Sequence, residues 1–347
     1  MYPRVFAPRM VSSASRSLRF YATMFGDHCP LVITPAQLHN LKHDPNVKQQ
    51  HDLVVLDASW HMPNSPRKAD QEYLARHIPS SRFLDIDRVA SSHPLNLAHM
   101  MPEPQMFARA CSELGIKPST HVVIYDTHGV FSSPRALYMF RTFGHHRSSI
   151  LDGGLPGWLS HGGLTEHEHQ KIMHTKYAMP TLDRSVVKHY KEMVNNAELN
   201  PTENAEAYYV LDARSKGRFL GSDPEPRPGL SSGHMPHSIS LPFTAFLETH
   251  NIPEDVAYKV EGDLPLTYTR LRSTQGMLLA LEEALGPERA KEVLEGKRQV
   301  VTSCGSGMTA GVLWLGLKLL GVEHVGLYDE SWTGYAMRPE SKIAKGE

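Results

Sequence analysis

The sequence predicts an α/β protein made of two copies of one unit, each a mainly parallel sheet with helices on both faces. Short β-branched runs alternate with stretches of helical period along most of the chain. Four sequence blocks also recur in the same order in the two halves, which marks a duplication. The clearest strand-to-helix passage, Val300 to Leu320, supplies the third indication, since an apolar strand runs through a Gly-rich turn directly into a helix that Gly321 stops.

The first copy opens near Leu31. A strand ending Val55-Leu56-Asp57-Ala58-Ser59 leads through a helix-like stretch to His77-Ile78-Pro79 and a short strand at Phe83 to Asp87. A helix around Met106 to Leu114 precedes the strand Val122 to Tyr125 with Asp126 at its end, and a helix from Pro134 to Phe143 precedes Ile150 to Trp158. In the second copy Val210 to Arg214 answers the first block, Gly233 to Pro236 the second, Val300 to Cys304 the third, and Leu327 to Tyr335 the fourth. The expected division is a leader at 1–26, a first unit at 27–160, a polar, His-rich linker at 161–205 and a second unit at 206–347. In sheets of this kind the loops at the C-terminal strand edge carry the site.

Composition narrows the function. A chain of 347 residues, 40% hydrophobic, is long enough for two cores, and a formal net charge of −1 argues against a nucleic-acid or membrane surface as the main partner. No apolar run approaches the roughly 20 residues that span a bilayer. Cys29, Cys111 and Cys304 are odd in number and far apart, which indicates neither a disulfide framework nor a zinc ribbon and fits a reducing compartment. The 21 histidines include the group His161, His167, His169 and His174, but no metal-binding spacing accompanies them. No metal and no cofactor is expected. The leader carries Arg4, Arg9, Arg16 and Arg19, several serines and no acid before Asp27, the make-up of a mitochondrial transit peptide. A start at Met24 would instead leave a cytosolic form.

The chemistry concentrates at Cys304-Gly305-Ser306-Gly307-Met308-Thr309. Gly305 and Gly307 allow the backbone to curl so that amide N–H groups point inward, and the helix that follows adds the positive end of its dipole. A thiol there is biased toward thiolate, and a sulfur anion formed on it would be held by the same donors. Two other uses of such a loop fit poorly. The glycines make an imperfect dinucleotide fingerprint, with the third displaced by one place. A cysteine phosphatase would need an Arg six places after the Cys, where Ala310 stands. The first copy has Asp126 in place of Cys304, so it is expected to be catalytically silent and to wall the cleft.

Taken in order, these blocks, together with Gly217-Arg218-Phe219-Leu220-Gly221 and Asp223-Pro224-Glu225-Pro226-Arg227, resemble the two-domain rhodanese-like sulfurtransferases from Leu31 to Arg338. Within them the uncharged CGSG loop resembles the mercaptopyruvate type rather than the thiosulfate type, whose loop is cationic. The resemblance implies a Cys304 persulfide, Arg218 and Arg227 on the carboxylate and keto oxygen of 3-mercaptopyruvate, and a proton relay of Ser306, His99 and Asp87. It implies thioredoxin, small thiols, cyanide or a sulfur-carrier protein as acceptor, and in some relatives a supply of sulfur to transfer-RNA thiolation. A thiosulfate-preferring enzyme and a noncatalytic rhodanese-like binding module are the alternatives. Tyr335 replaces a usual Trp, Glu330 replaces a Gly, and Phe131 stands where some relatives have a Tyr, all near the expected cleft rim.

Overall fold

The structure is a computed structural model that describes residues 29–43, 53–167, 171–253 and 267–346. The leader lies outside the described residues. The first unit runs β1 (Val32–Ile33), α1 (Pro35–His43), β2 (Leu53–Asp57), α2 (Ala69–Ala75), β3 (Arg82–Phe83), α3 (Pro104–Glu113), β4 (His121–Tyr125), α4 (Ser133–Thr142), β5 (Ser148–Leu151) and α5 (Gly154–Ser160). The second runs β6 (Val187–Lys188), α6 (Tyr190–Ala197), β7 (Tyr209–Asp212), α7 (Lys216–Leu220), β8 (Ile239–Ser240) and a 3-10 turn (Phe243–Phe246). It continues with β9 (Leu247–Asn251), β10 (Thr267–Leu271), α8 (Thr274–Leu285), α9 (Pro287–Leu294), β11 (Val300–Ser303), α10 (Ala310–Leu319), β12 (Val325–Tyr328) and α11 (Ser331–Ala336).

Each unit holds a five-stranded sheet, ordered β1-β5-β4-β2-β3 in one and β6-β12-β11-β7-β8 in the other. Every pairing in both sheets is parallel and the two orders are equivalent, strand for strand. The central strands β4 and β11 are wholly buried, as a parallel strand covered on both faces must be, which is why each carries adjacent valines, Val122-Val123 and Val300-Val301, instead of an alternating pattern. Part of the 161–205 stretch belongs to the second sheet: β6 closes its edge against β12, and α6 follows. Polar flanks and a strand of only two residues hid that edge in the sequence.

The units pack through equivalent helices. Gly311 on α10 lets the backbones meet, because a Cβ there would lie 2.8 Å from the Arg135 nitrogen on α4. Tyr138 and Trp314 then cross edge to face at 5.4 Å. One apolar cluster runs across the joint, from Val54 and Leu56 through Leu137 to Leu313 and Leu327. The antiparallel hairpin β9–β10, which the repeat pattern does not contain, leaves the second unit and clasps the first. There Thr269 donates its N–H to the His128 carbonyl, and Arg270 forks onto Asp152 at 3.0 and 2.9 Å. Helix packing and clasp together hold the loop after β11 against the first unit, where Arg135 reaches the Gly307 carbonyl.

Candidate active site

Cys304 follows β11 directly, and its side chain is held by the turn it begins. The Gly307 N–H donates to Cys304 Sγ at 3.1 Å, and Gly307 reaches that position at φ 84°, a left-handed conformation that favours glycine. Gly305 does not share that conformation. Its missing Cβ matters for space, since one would lie 3.1 Å from Arg218 Nη2 and 3.6 Å from Arg227 Nη1. One amide therefore reaches the sulfur, rather than the ring of several that the two glycines suggested. Met308 is buried in the core and Thr309 precedes the first turn of α10.

The start of α11 clamps the loop from behind. Ser331, itself at φ 50°, accepts the Cys304 N–H at 3.1 Å, while Trp332 donates its N–H to the Cys304 carbonyl at 2.9 Å. Thr333 gives both its N–H and its hydroxyl to the Gly305 carbonyl, at 2.8 and 2.6 Å. The block Leu327 to Tyr335, read in the sequence as a repeat marker and as part of the cleft rim, thus fixes the loop's path.

Ser306 lines a 590 Å³ cleft between the units, together with Trp60, His61, Asp87 and Leu97 from the first unit and Arg227, Leu230 and Thr333 from the second. Cys304 is 2% exposed and sits two residues before Ser306 in the loop that reaches this cleft. A larger cavity of 720 Å³ lies far from the sulfur on the first unit, lined by Lys42, Arg82 and Lys117 among others.

The expected relay is assembled in part. His99 Nδ1 and Asp87 Oδ1 are hydrogen-bonded at 2.9 Å, and Asp87 Oδ2 accepts the Trp60 indole N–H at 2.8 Å. Burial pushes the Asp87 pKa up, but the His99 hydrogen bond and charge, Trp60 and the Arg227 charge outweigh it and hold the carboxyl below its usual range. His99 is buried, stands at φ 45°, and leaves Nε2 without a partner. Ser306 makes no side-chain hydrogen bond with the described residues, so the third link of the relay is open.

The two expected arginines flank the loop but differ in company. Arg218 is forked onto Glu225, whereas Arg227 has no hydrogen bond or ion pair with the described residues. Burial and the neighbouring Arg218 charge hold the Arg227 pKa below its usual value, and the charges of Cys304, Glu225 and Asp87 offset that only in part.

Sequence reasoning missed Arg135. It is 2% exposed on α4 and donates to the His99 carbonyl at 2.7 Å, to Asp329 Oδ1 at 2.5 Å and to the Gly307 carbonyl at 3.4 Å. Asp329 Oδ2 in turn accepts the Met101 N–H at 2.8 Å, so this ion pair ties the relay segment of one unit to the sulfur loop of the other. The signal available was an Arg directly before the apolar stretch Ala136 to Phe140 of α4.

Residues 34–161 and 190–338 each match the model of the rhodanese-like domain. The chain belongs to the rhodanese-like family. As a tandem rhodanese-like protein it is 37% identical to the 3-mercaptopyruvate sulfurtransferase of Rattus norvegicus over 85% of this chain and 89% of that one. It is 34% identical to the thiosulfate/3-mercaptopyruvate sulfurtransferase 1, mitochondrial, of Arabidopsis thaliana over 97% of this chain and 84% of that one. Among solved structures it superposes on SseA from Escherichia coli, described as a 3-mercaptopyruvate sulfotransferase with the rhodanese fold, with a TM-score of 0.66 at 28% identity, covering 87% of this chain and 98% of that one. This rhodanese-like chain is an enzyme of the sulfurtransferase class. Among the described residues no helix is long and apolar enough to cross a membrane.

Proposed function

We propose that this enzyme moves sulfur from 3-mercaptopyruvate through a persulfide on Cys304 to a thiol, cyanide or protein acceptor, with thioredoxin, small thiols and a sulfur-carrier protein as the acceptor classes. The carrying observation is the pairing of a sulfur held by the Gly307 N–H with an Arg227 guanidinium that is unpartnered among the described residues and lies beside Gly305, the next residue of the same loop. A planar keto acid offers the geometry a guanidinium fork grips, and the uncharged loop offers no further cation for a dianion.

In the first step the Cys304 thiolate attacks the donor sulfur. The S–S bond forms as the C3–S bond breaks, its electron pair passes to carbon, and the resulting pyruvate enolate takes a proton and leaves as pyruvate. In the second step an acceptor thiolate attacks the outer sulfur, and Cys304 departs again as thiolate. The Gly307 N–H supports the sulfur anion at both stages. Asp87 orients His99, whose free Nε2 is available to carry the proton, with Ser306 at the cleft wall to complete the path once substrate is bound. A mitochondrial location is supported by the Arg- and Ser-rich leader and by the name of the Arabidopsis relative.

Steady-state comparison of donors tests the choice. Mercaptopyruvate is expected to exceed thiosulfate in kcat/KM, and thiosulfate winning by about tenfold would overturn it. Intact-mass measurement after exposure to donor should show one added sulfur, and its absence would sink the persulfide.

A further inference from the structure

We infer that Glu225 sets the charge of the donor pocket, cancelling Arg218 so that one uncompensated cation, Arg227, selects a singly charged keto acid over a dianion. This inference rests on the proposed keto-acid reading and names what tunes it. Both guanidiniums approach Gly305, but Arg218 gives Nε to the two Glu225 oxygens at 3.2 Å each and Nη2 to Oε2 at 2.5 Å. Glu225 Oε1 also takes Arg214 Nη1 at 2.8 Å, and Arg214 holds Asp212 through Nε and Nη2. Arg214 is buried against the Trp332 ring, 4.2 Å from its centroid, and the Glu225 side chain is 1% exposed, so the inner part of this chain of charges is little screened, while the Arg218 side chain at its outer end is 21% exposed. Pro224 and Pro226 flank Glu225 and restrict the backbone that presents it.

Two guanidiniums, Arg214 and Arg218, thus balance two carboxylates, Asp212 and Glu225, while the Arg227 guanidinium beside Gly305 has no ion-pair partner among the described residues. Across the cleft Asp87 adds a negative charge rather than a positive one. A donor with one carboxylate matches this field. A dianion such as thiosulfate brings a second charge that meets Glu225 and Asp87 with no free cation to answer it.

The test compares kcat/KM for mercaptopyruvate and thiosulfate in the full chain, in Glu225→Gln and in Glu225→Asp. In Glu225→Gln the thiosulfate-to-mercaptopyruvate ratio should rise at least about tenfold, and in Glu225→Asp it should stay within about threefold of wild type. An unchanged ratio in folded Glu225→Gln overturns the inference. A second arm needs no variant: calorimetric binding of pyruvate and of oxalate, planar ions of similar size with one and two charges, to the wild-type chain. Pyruvate should bind at least as tightly as oxalate, and oxalate binding about tenfold tighter overturns the inference. Failure of the keto-acid reading would show separately, as absent mercaptopyruvate turnover by wild type, while the pyruvate and oxalate pair still decides the charge.

Discussion

The loops after β4 and β11 begin from the same backbone frame and hold different side chains. At Asp126 the carboxylate fills its own turn: Oδ2 accepts N–H groups of Phe131, Ser132 and Ser133 at 2.9, 3.0 and 2.9 Å and the Ser133 hydroxyl at 2.7 Å. Its carbonyl accepts the Leu155 N–H, just as the Cys304 carbonyl accepts that of Trp332. At Cys304 a single amide meets a larger, softer atom, and two guanidiniums stand beside it. The hairpin strand β10 also covers the Asp126 loop, where a Cβ on Gly129 would collide with Thr269, while the Cys304 loop opens to the cleft. Duplication therefore preserved an anion cradle in both halves, and one copy keeps it permanently occupied. The half without a cysteine at this position packs against the other, sets Asp87 in the cleft wall and sends Arg135 across to Asp329.

Exchanging the occupants attacks this contrast most directly. Cys304→Ser should lower turnover at least about 10⁴-fold, and Asp126→Cys should gain none, because its loop lacks the arginines and is covered. Donor-dependent turnover that survives in Cys304→Ser would dissolve the distinction. Next in size is the strut between halves. Arg135→Gln strands the buried Asp329 carboxylate and should cost about 3–5 kcal/mol in denaturant unfolding, with a loss under about 1 kcal/mol arguing that the ion pair is idle.

Smaller, and read in kinetics, is the division between the arginines. Arg227→Ala should reduce mercaptopyruvate kcat/KM by about 2–5 kcal/mol equivalent, more than Arg218→Ala does and more than either affects thiosulfate. Equal losses for both donors would remove them from the carboxylate role.

The smallest effect compares Asp57 with its counterpart Asp212. Arg214 answers Asp212, but Ser59 stands in that place in the first half, and Asp57 Oδ2 is left without a partner. Burial pushes the Asp57 pKa up to about 6. An acid whose folded pKa is raised holds its proton more tightly when folded, so its ionisation penalises folding progressively as pH rises from about 4 through 6. Asp57→Asn should therefore stabilise the chain by about 1–3 kcal/mol at pH 7.5 and by much less near pH 4, whereas Asp212→Asn should destabilise it by a similar amount. Melting curves at the two pH values decide this, and a pH-independent gain would contradict the origin given.

The fold was legible because its signals are local. Buried parallel strands such as Val300–Ser303 write themselves as adjacent valines, and the repeat doubled every clue. The sulfur loop was legible for the same reason, since Cys304 to Thr309 is one continuous segment. What escaped depends mostly on contacts between distant positions, Arg135 with Asp329 and Thr269 reaching His128, and Glu225 holding Arg218 depends on how a seven-residue turn folds back. A single sequence records none of those separations. The two-residue strand β6 escaped because a pattern needs more length than two residues provide.

The depth of Cys304 has a consequence for whatever takes the sulfur away. With 2% of the residue exposed and walls contributed by both halves, a rounded protein surface cannot touch it. A macromolecular recipient must arrive with its accepting atom on a slender tip, a chain terminus or a narrow loop, so traffic is sorted by the visitor's shape before reactivity has any say.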